Sequence, residues 1–206
     1  MTEGFFIAIE GGEGAGKSTH AKRLAAHLQS LGHQVLVTRE PGGTPTAERI
    51  RAILLDHEIT DMPDHTEALL FAASRGDHAR NKIKPALDGG AIVICDRYID
   101  SSVAYQGAAR GLGVERIRQL SEWATGDLLP DFTIYMDVPV EAGNDRMDGI
   151  DRMEIQSREF HKAVHQAFRD IAATSQRPHV VVDATLPKDD VEEIIRAAVT
   201  EALSKQ

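Results

Sequence analysis

The chain has 206 residues, 42% hydrophobic and 27% charged, with a net charge of −9. That length supports one well-buried core but not two ordinary domains, so residues 1–206 are read as a single domain. The acidic balance argues against general affinity for nucleic-acid backbones or anionic membranes, so basic groups serving an anionic ligand must be concentrated locally.

The opening residues carry no basic stretch, and their apolar run stops at Glu10. It is too short for a signal-peptide core or a membrane span. Cys95 is the single cysteine, which excludes an internal disulfide framework and suits a reducing compartment; a cytoplasmic protein is expected.

In chain order, β-branched and aromatic runs predict strands over 5–10, 34–38, 91–95, 133–137 and 179–183. Between them, helical patterns cover 17–31, 45–57, 64–87, 154–175 and 188–203. The first stops at Gly32, a suitable C′ residue, and the second begins on Pro45, whose missing N–H costs little in a first turn. Phe160, Val164, Phe168 and Ile171 recur at helical spacing and mark a core face. Residues 143–151 are polar and weakly periodic, a loop between two helices. Strands alternating with helices predict an α/β fold with a central parallel sheet of five strands flanked by helices.

The sharpest motif is Gly11-Gly12-Glu13-Gly14-Ala15-Gly16-Lys17-Ser18, which matches G-x-x-x-x-G-K-[ST] in full. It follows an apolar strand and opens a helix. Glycines let backbone N–H groups wrap a phosphate at the positive helix end. Lys17 is placed to reach the β- and γ-phosphates, and the Ser18 hydroxyl to hold Mg²⁺. The motif does not say whether water or a second substrate receives the phosphate. No N-K-x-D string follows, and the third strand leads into Asp96-Arg97-Tyr98 rather than a paired Asp-Glu.

Arg39 and Arg97 each follow a strand, which places them at the carboxyl edge where open α/β sheets bind ligands. Phe71 and Arg75 lie four apart on a helix, so a ring can stack on a base while a guanidinium bonds its edge. Ser102 and Tyr105 are three apart in the following segment.

With IEGGEGAGKST, TREPGGT, LLFAASR, CDRYIDSSVAYQG and DRME in this order, the chain resembles the thymidylate kinase family, of bacterial type, over nearly its whole length. The resemblance implies the P-loop nucleoside monophosphate kinase fold with a short lid at about 143–153. It implies transfer of the γ-phosphoryl group of ATP to dTMP, with Mg²⁺, in a homodimer.

Position by position, Gly11, Gly12, Glu13, Gly14, Ala15, Gly16, Lys17, Ser18 and Thr19 would bind ATP. Glu13 would also bond the sugar 3′-OH, and Arg39 and Arg97 would hold the acceptor phosphate. Phe71 would stack on thymine, Arg75 would bond its O4 and Ser102 would meet the N3 edge. Tyr105 would pack against the deoxyribose, with Gln106 nearby. Asp96 would help Ser18 hold Mg²⁺, directly or through water. Since Gly14 stands where one branch of the family has an arginine, the transition-state arginine would come from the lid, as Arg146 or Arg152. Lys17 and Arg97 complete the catalytic set.

Other readings remain. A nucleoside kinase needs a carboxylate base near a 5′-OH rather than arginines around an acceptor phosphate, and a regulatory or partitioning ATPase would leave Phe71, Arg75 and Tyr105 unused. His161 and His165 are read as a solvated helix face rather than metal ligands, and Cys95 as a small buried hydrophobe. Ile83, Leu87 and Trp123 fit either a core or a dimer surface.

Overall fold

Strand periodicity decides the layering. In β1 (Phe5–Gly11) every residue is buried, with Phe6 and Ala8 on one face and Phe5, Ile7 and Ile9 on the other. A strand apolar on both faces has to be central and covered on each side. The computed structural model, which describes residues 4–144 and 151–205, places it there. With β2 (Val35–Arg39), β3 (Ile92–Asp96), β4 (Phe132–Asp137) and β5 (His179–Asp183) it forms a parallel sheet of order β2-β3-β1-β4-β5. Ile9 pairs with Asp96 of β3 and with Ile134 of β4, so β1 is flanked on both sides up to its last turn.

The Phe5/Ile7/Ile9 face is covered by α1 (Lys17–Ser30) and α9 (Lys188–Leu203) through Leu24, Leu28, Val191, Ile195 and Val199. The Phe6/Ala8 face is covered by α8 (Arg158–Thr174) through Phe160, Val164, Phe168 and Ile171. It is also covered by α5 (Ile99–Ser102), whose π-helical continuation Val103–Ala109 adds Val103, Ala104 and Tyr105. On the outer side lie α2 (Pro45–Leu55), α3 (Asp64–His78) and α6 (Val114–Thr125). A π-helical turn, Ala79–Ile83, carries α3 into α4 (Lys84–Asp88), and α7 (Val140–Asn144) follows β4.

All five predicted strands are present within one residue at each end, and 188–203 is reproduced. The predicted helix 64–87 is continuous but contains the π turn. The predicted helix 154–175 starts only at Arg158. Asp151 Oδ1 accepts the N–H groups of Met153 and Glu154, and Ser157 Oγ then caps the helix by accepting from Phe160 N at 3.1 Å. Most of the predicted loop 143–151 lies outside the described residues. Of the three ambiguous apolar residues, Ile83 is core while Trp123 is 80% exposed.

Phe6 is fully buried and meets the Tyr98 ring edge-on at 4.9 Å. Phe6→Ala is expected to lower the unfolding free energy by about 3–5 kcal/mol, read from a urea midpoint with an unchanged m-value.

Candidate active site

Parallel strands deliver their carboxyl ends to one edge, and that edge holds Gly11, Arg39, Asp96 and Asp137. After β1 the chain turns through Gly11, Gly14 and Gly16, all at positive φ, into α1. Gly14 is constrained twice: its φ is +67°, and a Cβ there would run into the Gly143 carbonyl at the end of α7. Lys17 is buried, and its Nζ donates to Gly12 O at 2.6 Å across the loop. Burial and the Arg97 charge lower the Lys17 pKa to about 8, against the pull of Glu13, Asp96 and Glu10. The Ser18 hydroxyl donates to Asp96 Oδ2, so two hard oxygen donors meet beside the loop. That pair fits a divalent cation of the Mg²⁺ type.

Beside the P-loop lies a cavity of about 180 Å³. Glu13, Lys17, Ser18, Arg39, Phe71, Arg75, Asp96, Arg97, Ser102, Tyr105 and Gln106 all line it, so these sequence-predicted residues are brought together. Gly11, Gly12, Gly14, Ala15, Gly16 and Thr19 belong to the loop and the first turn of α1 rather than to the cavity wall. Arg146 lies outside the described residues.

Arg97 sits at φ +69°, a left-handed conformation that few non-glycine residues adopt. Its Nη1 donates to Gly11 O at 2.9 Å and Ser101 Oγ at 3.3 Å. Its Nη2 lies 2.7 Å from Glu13 Oε1. The N–H directions there are poor, and buried Nη2 has no hydrogen-bond partner among the described residues. Burial alone would raise the Glu13 pKa, but Arg97, Lys17 and the Tyr105 hydroxyl at 2.9 Å pull it down to about 2. Tyr105 is held by edge contacts with Phe160 and Phe168, and the Arg97 guanidinium lies over its ring.

Arg75 is of a different kind. It is 2% exposed and donates from Nε to Glu40, from Nη1 to Ser121, and from Nη2 to Tyr98 O and Ser102 Oγ. Glu40 also faces His78 Nδ1 at 3.0 Å, and His78 Nε2 faces Thr38 Oγ1 at 2.7 Å. Glu40, His78 and Cys95 lie close enough to share a metal ion. Their atoms are instead engaged with one another, with Arg75 and Thr38, and with Arg97 O through the Cys95 thiol. Burial pushes that thiol well up, which agrees with Cys95 as an inert buried group.

Arg39 is over half exposed and pairs with Glu48 at 3.2 Å. Arg51 also lines the cavity, a residue the sequence reading missed; it donates to Pro41 O at 2.8 Å. Burial and repulsion from Arg39 and Arg97 lower its pKa, against the pull of Glu48 and Asp151. The only sequence signal for Arg51 was its place on the helix after TREPGGT.

Arg152, expected as a lid arginine, does not line the cavity. Its Nε donates to Leu54 O at 2.9 Å and its Nη2 meets Glu67 Oε2 at 2.7 Å. Glu67 is fully buried and also accepts from Gln106 and Arg110. In this arrangement Arg152 ties the end of α2 to α3. The helix-face reading of His161 and His165 needs correction. His161 is buried beside Phe160 and faces Glu154 O, and His165 is three-quarters buried against Asp137 Oδ1 at 2.7 Å. Both lie next to the core face set by Phe160, Val164 and Phe168.

The family model described as thymidylate kinase matches residues 9–195. A protein named thymidylate kinase from Thermomicrobium roseum is 47% identical over 205 residues, covering 98% of this chain and 97% of that one. One of the same name from Deinococcus radiodurans is 45% identical over 204 residues, covering 98% of each. A third, from Geobacillus thermodenitrificans, is 44% identical over 193 residues, 91% of this chain and 86% of that one.

Arg152→Ala would leave Glu67 buried with one cation fewer, and is expected to cost about 3 kcal/mol of stability in urea unfolding. Glu13 gives a pH dependence. Its folded pKa of about 2 lies below the ordinary 4.5, so it contributes stability above pH 4.5 that disappears as pH falls towards 2. Glu13→Gln should flatten the thermal-midpoint profile across that window.

Proposed function

The chain belongs to the thymidylate kinase family, and we propose that the residues around its cavity carry that family's reaction as follows. It is a phosphotransferase that moves the γ-phosphoryl group of ATP to dTMP, giving dTDP and ADP, with a divalent metal. The observation that supports these roles best is the gathering of cations on one edge of an acidic protein. Lys17, Arg39, Arg51 and Arg97 face one cavity, and Arg97 Nη2 lies beside Glu13 Oε1 at 2.7 Å without a well-directed hydrogen bond.

Lys17 and the P-loop N–H groups hold the donor phosphates. Ser18 and Asp96 would hold a divalent ion of the Mg²⁺ type, which would supply charge neutralisation for the donor phosphates. Arg97, Arg39 and Arg51 hold the acceptor phosphate and offset its repulsion from the donor. An oxygen of that phosphate attacks the γ-phosphorus and the ADP oxygen leaves. No general base is required, because the attacking oxygen is already ionised. Glu13, ionised at neutral pH, accepts from the sugar 3′-OH. Phe71 stacks on the base, and Arg75, Ser102 and Gln106 read its polar edge. Gln106 is oriented for this by the bond from its Nε2 to Glu67 at 2.9 Å.

A homodimer is also part of this reading. The α3 and α6 helices pack together, and Leu69 and Trp123 stand out of them at 58% and 80% exposure. Among the described residues no helix is long and apolar enough to cross a membrane. Its lone buried thiol suits a reducing compartment, which supports the reading of a cytoplasmic protein.

In an assay coupling ADP release, dTMP is expected to be the fast acceptor, dUMP a weak one and thymidine inactive. Turnover of thymidine would favour a nucleoside kinase. Hydrolysis without any acceptor would favour an ATPase. Arg97→Ala is expected to lower kcat/KM for dTMP by about 10²-fold or more, while the KM for ATP changes less.

A further inference from the structure

Alternation along β1 puts Glu10 on the Phe6/Ala8 face, pointing away from the phosphate loop that follows it. It is 1% exposed, and nothing in the phosphoryl-transfer scheme uses it. Its Oε1 accepts the Tyr98 N–H at 2.9 Å, and its Oε2 accepts the Ser101 hydroxyl at 2.5 Å. Ser101 Oγ in turn accepts from Arg97 Nη1. The two neighbours of Glu10 hold the same turn: Ile9 O accepts the Arg97 N–H at 2.9 Å, and Gly11 O accepts from Arg97 Nη1.

We propose that Glu10 is a positioning residue for the acceptor phosphate: through Tyr98 and Ser101 it holds the left-handed Arg97 turn and aims the Arg97 guanidinium. This deepens the reading of the cavity as an acceptor site and rests on it. A hydroxyl has one proton, and giving it to Glu10 turns the Ser101 lone pairs towards Arg97. The relay therefore runs in one direction, from Arg97 through Ser101 to the carboxylate. An amide of the same shape cannot accept from both Tyr98 N–H and Ser101 O–H, because one of its ends is a donor.

The groups around Glu10 come from every neighbouring element. Asp100 lies on α5, Arg97 on the turn after β3, Cys95 on β3, Tyr135 on β4 and Lys17 on α1. Asp100 is itself held by Tyr135 and by Arg118 of α6. Burial and the Asp100 charge raise the Glu10 pKa to about 7, against Ser101, Arg97 and the Tyr98 N–H. Below that pH the carboxyl gains a proton and loses part of its accepting capacity.

The test is Glu10→Gln in steady-state assays at several pH values. KM for dTMP is expected to rise about tenfold or more, the worth of one charge-assisted hydrogen bond, while KM for ATP stays within about twofold. The wild-type advantage in kcat/KM for dTMP should grow as pH rises through about 7. Taking that ratio cancels the titration of dTMP itself.

Equal effects on both substrates, or a ratio independent of pH, would overturn the proposal. If Glu10→Gln does not fold, Ser101→Ala breaks the same relay at its middle and should raise the KM for dTMP selectively. An unchanged dTMP KM in that variant would also overturn it. Wild-type turnover of dTMP, measured first, tests the enzyme assignment separately from either contrast.

Discussion

Repulsion among Lys17, Arg51 and Arg97 has to be offset before any anion arrives, and the ends of the strands are arranged to do it. Each of these cations is buried to some degree, and burial together with a like-charged neighbour lowers the pKa of both Lys17 and Arg51. Glu13 offsets part of this from inside the loop itself, remaining ionised down to about pH 2. Asp96 adds a second carboxylate at the end of the neighbouring strand, already in contact with Ser18. Glu48 and Asp151 act in the same direction on Arg51, and Glu10 on Lys17 and Arg97. Cations held by shared carboxylates in this way can turn towards phosphorylated ligands that enter the site.

Backbone constraint makes that arrangement specific. Ile9, Glu10 and Gly11 are consecutive on β1, and each contacts the turn 97–101 through a separate hydrogen bond. The loop that would cradle the donor and the turn that would hold the acceptor phosphate thus share three adjacent residues as a common mount. A displacement of β1 would move both halves together, preserving the in-line approach that phosphoryl transfer depends on. Gly14, closed in by Gly143, fixes the loop from the opposite side.

Much of this was legible in the sequence because it is local. Strands apolar on both faces announce themselves in short windows, and the phosphate loop is a contiguous string. The segment Ile99–Ala109 was not recognised as helical, since serines, a glycine and a π-helical stretch blur the period on which such a reading depends. His161 borders the core face of its helix and meets Glu154 O, a contact that its sequence neighbours alone did not reveal. The start of that helix is decided by Asp151 and Ser157 through backbone hydrogen bonds. Arg51 carried no motif, and Glu10 stood inside IEGGEGAGKST without a role of its own. Their importance comes from partners 46 and 91 residues away, as between Arg51 and Arg97 or between Glu10 and Ser101. Arg152 shows the same limit: its string matches a family element, but its partners Leu54 and Glu67 are distant in the chain.

Arg75 and Arg97 show how one residue type serves two ends. Arg75 is held by Glu40, Ser121, Tyr98 and Ser102, so four of its five N–H groups are committed. What remains is a single donor in a fixed direction, beside a Ser102 hydroxyl that already accepts from Arg75. In the proposed reading such a pair would discriminate by geometry, as a base edge requires. Arg97 has the opposite character: its Nη2 sits 2.7 Å from the Glu13 carboxylate without a well-directed hydrogen bond to it. That is the better state for a phosphate, whose oxygens can be met from several directions. The difference arises from the neighbours alone. Glu40 meets Arg75 Nε at 2.7 Å in good geometry, whereas Glu13 Oε1 is shared between the Tyr105 hydroxyl and Arg97 Nη2.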